Sequence, residues 1–169
     1  MLESIVGHAA GVLKSKSAWL FISDLDQISF RCELCFGENG GIVARTLTFG
    51  MGVVGEIANN ASGLIINEYP ERPTTGKFFE TENISALMGV PVLCEGKLRG
   101  VLLVGRESEV TPYTPNEMEL LELFADQVGT ALESEILLDD ERYRRDVLEA
   151  IHRASIQLTS SLELQLVLD

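Results

Sequence analysis

The stretch SALMGVPVLCEGKLRGVLLVG, residues 85–105, decides the fold. It contains two apolar runs, residues 87–94 and residues 98–104, separated by Glu95-Gly96-Lys97. An acidic residue followed by glycine is typical of a tight turn between antiparallel strands, so the stretch predicts a β-hairpin. Neither run alternates cleanly between apolar and polar residues, which indicates that both faces of the sheet are covered.

One of these covers follows the hairpin in sequence. Residues 114–117, Thr-Pro-Asn-Glu, have the composition of a capping box with proline at the first helical position. Apolar residues then recur at helical spacing, at Leu121, Ala125, Val128 and Leu132. We expect this helix to cover one face of the sheet, and a ligand or a lid segment to cover the other.

Composition excludes several classes of partner. The 169 residues suit one domain with an extension, and 13 basic against 26 acidic residues give a formal net charge of −13. Such a surface repels phosphate backbones and anionic lipids, so we expect neither nucleic-acid nor membrane binding. There is no apolar run of the ~18 residues that a spanning helix needs, and the first residues lack the basic start of a secretory signal. An odd number of cysteines, three, is unlike a disulfide framework, and together these features predict a cytoplasmic protein.

Upstream of the hairpin, hydrophobic patterning predicts a mixture of helices and strands. We expect a helix within residues 2–13, strands at 18–23, 28–36 and 64–67, a weaker strand at 46–49 and a short helix at 53–60. Residues 69–83 are polar and contain two prolines and a glycine, and no regular element is indicated there. We interpret this last segment as a mobile flap over one face of the sheet.

The last third of the chain carries a second helical stripe, formed by Val147, Ile151, Ala154 and Leu158. No surface of the same domain remains for this stripe, so we expect it to pair with a second copy of the chain. Residues 160–163, Ser-Ser-Leu-Glu, look like a further capping box that begins another helix. The predicted organisation is therefore a domain at 1–137, a linker helix at 138–160 and the start of a following module at 161–169, as in a piece of a longer protein.

Taken together, these features resemble a GAF domain over roughly residues 2–137. The matching segments are a glycine-rich entry to a short helix (GMGVVGEIA), the hairpin, and the helix start YTPNE. The most specific part is the combination of Val90-Pro91, Gly96, Gly100-Val101-Leu102 and Tyr113-Thr114. The resemblance implies an α+β fold of the PAS-like type, with an antiparallel sheet of about six strands, helices on one face and a flap-covered pocket on the other.

The same resemblance implies a function. GAF domains mostly precede histidine kinases, nucleotide cyclases or phosphodiesterases and transcription activators, where they sense small molecules or hold dimers together. We therefore expect a sensory module of a cytosolic signalling protein, such as a two-component sensor histidine kinase, with its output domain elsewhere in the parent chain. The alternative is a ligand-free scaffold that only dimerises.

The expected pocket would bind a small apolar or aromatic molecule, because apolar walls supply affinity for such ligands. The parity of the strands is open, so some of the candidates will face the helices instead. The candidate lining residues are Phe21, Phe30, Phe78, Phe79, Met88, Val90, Val92 and Val104.

Three glycines match a nucleotide-binding fingerprint. Gly50, Gly52 and Gly55 spell G-x-G-x-x-G, with Glu68 downstream. A dinucleotide site needs a long helix that crosses a parallel sheet, and the helix available before residue 63 is too short. We interpret these glycines as a turn that lets the short helix pack closely.

The cysteines are interpreted as core residues. Cys32 and Cys35 lie within a predicted strand, where positions three apart point to opposite faces, and Cys94 lies in the hairpin. A thiol enzyme or redox sensor remains the alternative. Residues 69–83 contain no cysteine, whereas the GAF domains that reduce methionine sulfoxide or attach bilins place essential thiols near the flap.

Other site chemistries find little support. Lys77-Phe78 and Glu82-Asn83 partly match the motif of cyclic-nucleotide-binding GAF domains, so that function stays an alternative. His8 and His152 lack metal-ligand spacing, and nothing favours haem or another metal site. No Ser-His-Asp set, paired carboxylates or phosphate-binding lysine loop is visible, so we expect no catalytic residues in this chain.

Overall fold

The computed structural model describes residues 1–24, 26, 29–37, 45–71, 83–107 and 111–168. The chain divides into two compact units, Met1–Ala131 and Leu132–Asp169. Most of the segment expected to form the flap, including the candidates Phe78 and Phe79, lies outside the described residues.

Helices and strands follow the predicted order with small shifts at their ends. The strands are β1 (Ser17–Ser23), β2 (Ser29–Phe36), β3 (Thr46–Thr48), β4 (Leu64–Ile66), β5 (Ile84–Cys94) and β6 (Lys97–Glu107). The α-helices are α1 (Leu2–Val12), α2 (Gly52–Asn60) and α3 (Pro115–Leu168), and a 3₁₀ turn forms at Tyr69–Glu71. The boundary between the two units falls inside α3.

All six strands form one antiparallel sheet in the order β3-β2-β1-β6-β5-β4. The predicted α+β fold with about six antiparallel strands is therefore confirmed. At its centre, β1 and β6 are flanked by β2 and β5, so the most apolar segments have partners on both edges.

The predicted hairpin joins β5 to β6. Glu95 and Gly96 have φ values of 49° and 75°, and Cys94 pairs with Lys97 across the turn. Two consecutive positive φ angles define the turn that matches the twist of antiparallel strands, and glycine adopts such an angle without strain. The Glu-Gly pair therefore sets the register of the whole hairpin.

Helices cover both faces of the sheet. Alternation along β1 and β6 places Leu20, Leu102 and Val104 on one face, which is covered by α1 and by the first turns of α3. The buried residues on this α1/α3 face include Val6 and Ala9 of α1, Leu13 just after that helix, and Leu121, Ala125 and Val128 of α3. The opposite α2 face is covered by the short helix α2, a cover that the sequence did not identify.

The glycines of the G-x-G-x-x-G segment form the entry to the short helix, as predicted, with Gly50 in the turn before α2 and Gly52 and Gly55 at the start of the helix. Gly50 and Gly52 have positive φ angles, of 85° and 64°. A Cβ atom on Gly55 would lie 2.3 Å from the carbonyl carbon of Gly50, so only glycine allows this close approach. The sheet is antiparallel, and α2 has nine residues, which differs from the parallel crossover of a dinucleotide-binding fold.

In the second unit, α3 continues without a break to Leu168. The predicted start of a new helix at residues 160–163 is therefore wrong. The hydroxyls of Thr159 and Ser160 donate hydrogen bonds to the carbonyl oxygens of Ser155 and Ile156, four residues earlier. Hydroxyl side chains adopt this arrangement inside a helix as well as capping its end, so their presence alone does not mark a boundary.

Candidate functional site

The α2 face holds an aromatic cluster. Phe21 and Phe30, two of the predicted pocket residues, lie there without accessible surface. The ring of Phe30 stacks on that of Phe49 with centroids 5.7 Å apart and an interplanar angle of 19°. Sequence reasoning missed the other large side chains of this cluster, which include Trp19, Val53, Ile57, Leu87 and Leu103.

Four other candidates lie on the opposite face. Met88 pairs with Val104, and Val90 pairs with Leu102, which shares the α1/α3 face. Val92 follows Val90 by two residues and points the same way. These four residues are fully buried under the helices, so the structure does not bring them together with Phe21 and Phe30. The cause is the uniform hydrophobicity of β5 and β6, which hides strand parity in the sequence.

The aromatic cluster is closed in this structure. Trp19, Phe21, Phe30, Leu87 and Leu103 each have 0% exposure. A side chain without accessible surface borders no void large enough for a water molecule. A small molecule therefore reaches these five residues only if a neighbouring segment moves.

Access is easiest at the margin of the cluster. Its partly buried members are Cys35, Leu47, Leu64 and Leu98, and Phe49 is more exposed than these.

A β-bulge changes the interpretation of the Cys-x-x-Cys motif. Phe21 pairs with Cys32 and Trp19 pairs with Cys35, because the register shifts by one residue at Glu33. Both thiols therefore lie on the α2 face, and the sequence argument that placed them on opposite faces is wrong.

Each of the three thiols has a backbone contact or packs against the core. Cys32 Sγ donates to the carbonyl oxygen of Leu34 at 3.5 Å, and Cys94 Sγ to that of Gly129 at 3.4 Å. No three His, Cys, Asp or Glu side chains of the described residues are grouped to hold a metal ion. Both histidines, His8 and His152, are exposed.

A buried cation lies at the end of β6. The guanidinium of Arg106 has only 2% exposure and donates hydrogen bonds to the carbonyl oxygens of Leu13 and Thr111. It also pairs with the carboxylate of Glu117, with 2.5 Å between Nη2 and Oε1. Its central carbon lies 4.0 Å from the ring centroid of Tyr113.

Tyr113 and Asn67 extend this network. The Tyr113 hydroxyl lies 2.6 Å from Ser15 Oγ, and its backbone N–H donates to Asn67 Oδ1 at 2.8 Å. Asn67 Nδ2 donates in turn to the Tyr113 carbonyl oxygen at 3.1 Å. Burial raises the pKa of the Tyr113 phenol to about 12, although the hydrogen bond with Ser15 and the charge of Arg106 act in the opposite direction.

Glu117 has two roles in the same place. Its carboxylate accepts from the backbone N–H of Thr114 at 2.9 Å, while the Thr114 hydroxyl accepts from the N–H of Glu117, so the predicted capping box is present. Burial alone would raise the pKa of the Glu117 carboxyl, but the hydrogen bonds of Arg106 and Thr114 outweigh it and hold this pKa below 4.5. One signal in the sequence could have indicated this network, namely Arg106 at the end of an otherwise apolar strand. A buried arginine is almost always paired, so its position implies a partner.

The predicted relay residues lie in the second unit and are exposed in the single chain. Val147, Ile151 and Leu158 have 38%, 58% and 66% exposure, and Ala154 is exposed as well. A groove on the same unit is lined mainly by charged residues between positions 141 and 153 and contains none of the pocket candidates. No helix among the described residues is long and apolar enough to cross a membrane.

This architecture and its loop glycines define a family. The model of the GAF domain family matches residues 1–133, and the chain belongs to that family. A search of curated proteins by sequence finds no match.

Solved structures of GAF domains share the fold at low sequence identity. The chain is similar to the GAF domain of a phosphoenolpyruvate-protein phosphotransferase from Acinetobacter, with a TM-score of 0.71, 16% identity, and coverage of 82% of this chain and 84% of that one. It is similar to residues 122 to 287 of a methyl-accepting chemotaxis protein, with a TM-score of 0.70, 18% identity, and coverage of 81% and 89%. The GAF domain of a two-component sensor histidine kinase from Bacillus halodurans matches with a TM-score of 0.67, 12% identity, and coverage of 82% and 98%.

Proposed function

We propose that this GAF domain is a regulatory module of a multidomain signalling protein. Two copies associate through residues 132–168, and the pair passes a conformational signal to an output domain in the parent chain. The module itself regulates and does not catalyse. The origin of similar structures in a chemotaxis protein and a sensor histidine kinase supports this role.

The observation that carries the proposal is the exposed apolar stripe of the second unit. Val147, Ile151, Ala154 and Leu158 follow one another at spacings of four, three and four residues. This is the a/d spacing of a helix that packs against another helix. A contiguous exposed apolar surface of this kind marks an interaction site, and a helix alone in water gains little stability from propensity.

A matched pair of substitutions tests the dimer. Ile151 belongs to the stripe, whereas Ile156, with 53% exposure, lies on the outer side of the same helix pattern. We expect the unmodified chain to sediment as a dimer, Val147→Asp/Ile151→Asp to sediment as a monomer, and Ile156→Asp to remain dimeric. A monomeric unmodified chain contradicts association, and a dimeric double variant contradicts the assignment of the stripe.

A second function, binding of a small apolar or aromatic molecule, is favoured by the aromatic cluster of the α2 face. Trp19 lies in that cluster and is the single tryptophan of the chain, so its fluorescence reports on occupancy. A ligand there changes this fluorescence and raises the melting temperature by an amount that grows with the logarithm of the ligand concentration above the dissociation constant. Because the cluster is closed, binding needs a neighbouring segment to move, and we expect slow association.

The test is native mass spectrometry of the purified protein followed by a metabolite screen read out by Trp19 fluorescence. Phe30→Leu, on the α2 face, should weaken any response, and Val104→Ala, on the α1/α3 face, should leave the affinity unchanged. A protein that stays empty and unresponsive in both measurements is a ligand-free dimerisation scaffold. A response that depends on Cys32 and Cys35 but not on Phe30 would indicate a thiol-based sensor instead.

A further inference from the structure

Polar contacts connect chain segments that are far apart in sequence at one end of the sheet. Asn67, directly after β4, holds both backbone groups of Tyr113 through its amide, at 2.8 Å and 3.1 Å. Two hydrogen bonds from one planar amide fix the backbone of Tyr113 on both sides of its Cα atom. Any displacement of the chain after β4 therefore acts on Tyr113.

The side chain of Tyr113 forms the second link. It has 3% exposure, its ring lies under the guanidinium of Arg106, and its hydroxyl lies within hydrogen-bond distance of Ser15 Oγ. Ser15 Oγ also donates to the carbonyl oxygen of Leu13, just past the end of α1. Because the ring is enclosed, it cannot shift without moving Arg106 or the end of α1.

The guanidinium of Arg106 forms the third link. It joins the carbonyl oxygen of Leu13 to the carboxylate of Glu117, and so joins the end of α1 to the first turn of α3. A buried cation that loses a partner finds no water to replace it, so its contacts are kept or lost together. Glu117 also caps α3 through Thr114, so the first turn of that helix depends on where Arg106 lies.

We infer that Asn67, Tyr113, Arg106 and Glu117 are positioning residues of one coupling element, which transmits a displacement of residues 67–71 to the end of α1 and to the start of α3. This inference rests on the proposed regulatory function, because α3 is the helix that carries the exposed apolar stripe of the second unit. The coupling among these four residues does not require a dimer, because all four lie within the first unit.

The test measures amide hydrogen exchange by NMR in Asn67→Ala. We expect exchange about fivefold faster at residues 117–121 of α3 and at Leu13 and Ser15, since the variant loses two hydrogen bonds of ordinary strength. Asn60→Ala is the control, because Asn60 is exposed at the end of α2 and outside the network. Faster exchange confined to Tyr113, with α1 and α3 unchanged, would overturn the inference.

A double-mutant cycle separates coupling from simple loss of contacts. Asn67 and Glu117 make no hydrogen bond with each other among the described contacts, so independent sites predict that their effects on exchange multiply. We expect Asn67→Ala/Glu117→Gln to accelerate exchange at residues 118–121 by clearly less than the product of the two single effects. If the effects of the two single substitutions on exchange simply multiply in the double variant, the coupling element is contradicted.

Two further variants keep this test decisive. Arg106→Lys retains the charge but not the fork of donors, and we expect it to abolish the non-additivity between Asn67 and Glu117. Repeating the cycle in the Val147→Asp/Ile151→Asp background shows whether the coupling exists in a single chain. If the coupling persists in that background and the unmodified chain is a monomer, the inference stands. Only the proposed dimer is then rejected.

Discussion

The two units of this chain use apolar helical stripes in opposite ways. In the first unit, Leu121 and Val128 of α3 are fully buried against the sheet, whereas Val147 and Leu158 of the same helix have 38% and 66% exposure. Both stripes have helical periodicity, and the periodicity identifies the apolar side but not what covers it. A stripe is buried within the single chain only if the chain supplies an opposing surface. The sheet supplies this surface for the first stripe.

The largest expected effect comes from the tight packing of the first unit. A Cβ atom on Gly100 of β6 would lie 2.2 Å from the carbonyl oxygen of Phe21 in β1, and backbone atoms of a central strand cannot give way. We expect Gly100→Ala to destabilise the protein by roughly 4 kcal/mol or more, which leaves it largely unfolded. Urea denaturation followed by Trp19 fluorescence measures this.

Gly11→Ala is the matched control for this substitution. Gly11 lies in α1 with open space where its Cβ atom would be, so the same change should stabilise the protein by about 0.5 kcal/mol through helix propensity. If Gly100→Ala unfolds at the same urea concentration as the unmodified chain, then β1 and β6 can move apart to admit a methyl group. The first unit would then be less tightly packed than we infer.

Arg106 provides the next effect, because its partners come from α1, from the loop before α3 and from α3 itself. Arg106→Met removes the guanidinium donor from the Glu117 carboxylate and from the carbonyl oxygens of Leu13 and Thr111. We expect a loss of about 3 kcal/mol in the free energy of unfolding, measured by the same urea titration. A loss as small as that from an exposed ion pair, under about 1 kcal/mol, would show that the burial of this cation contributes little.

Much of the fold could be predicted because its signals are local. The Glu-Gly turn, the glycines before α2 and the capping box at Thr114 and Glu117 each depend on a few adjacent residues whose backbone requirements are known. The predicted capping box at residues 160–163 is wrong because this local signal is ambiguous. Serine hydroxyls also donate hydrogen bonds to carbonyl oxygens inside a helix, as Ser160 does.

The site was harder to predict because it depends on strand parity and on long-range pairing. The bulge at Glu33 places Cys32 and Cys35 on one face, because one extra residue shifts the alternation of β2, and the spacing of the two cysteines does not reveal this shift. Likewise, β5 and β6 are apolar on both sides, so nothing in the sequence separates Val104 from Leu103. The partners of Arg106 lie up to 93 residues away, beyond any local rule.

The pH dependence of Glu117 gives a smaller effect that sharpens the account of the first unit. Since its pKa is lowered by folding, the ionised carboxylate contributes stability above pH 4.5, and this contribution is lost as the pH falls through the folded-state pKa. We expect Glu117→Gln to cost about 1 kcal/mol at pH 7, and we expect this difference to shrink as the pH falls through the lowered folded-state pKa of Glu117. A difference that stays constant from pH 7 to pH 3 would mean that the charge of Glu117 is irrelevant and that only its hydrogen bonds contribute.

Removing the second unit should produce the smallest change in stability, which is the most direct test of the comparison. A chain that ends at residue 137 keeps the complete first unit, Met1–Ala131, including the coupling element and the whole sheet. We expect its free energy of unfolding, measured as a monomer at low concentration, to agree with that of the Val147→Asp/Ile151→Asp variant within about 0.5 kcal/mol, the range of surface changes. Sedimentation should show it as a monomer. A shortened chain that unfolds much more easily would mean that residues beyond 137 stabilise the first unit directly, and the exposed stripe would then need a partner within its own chain.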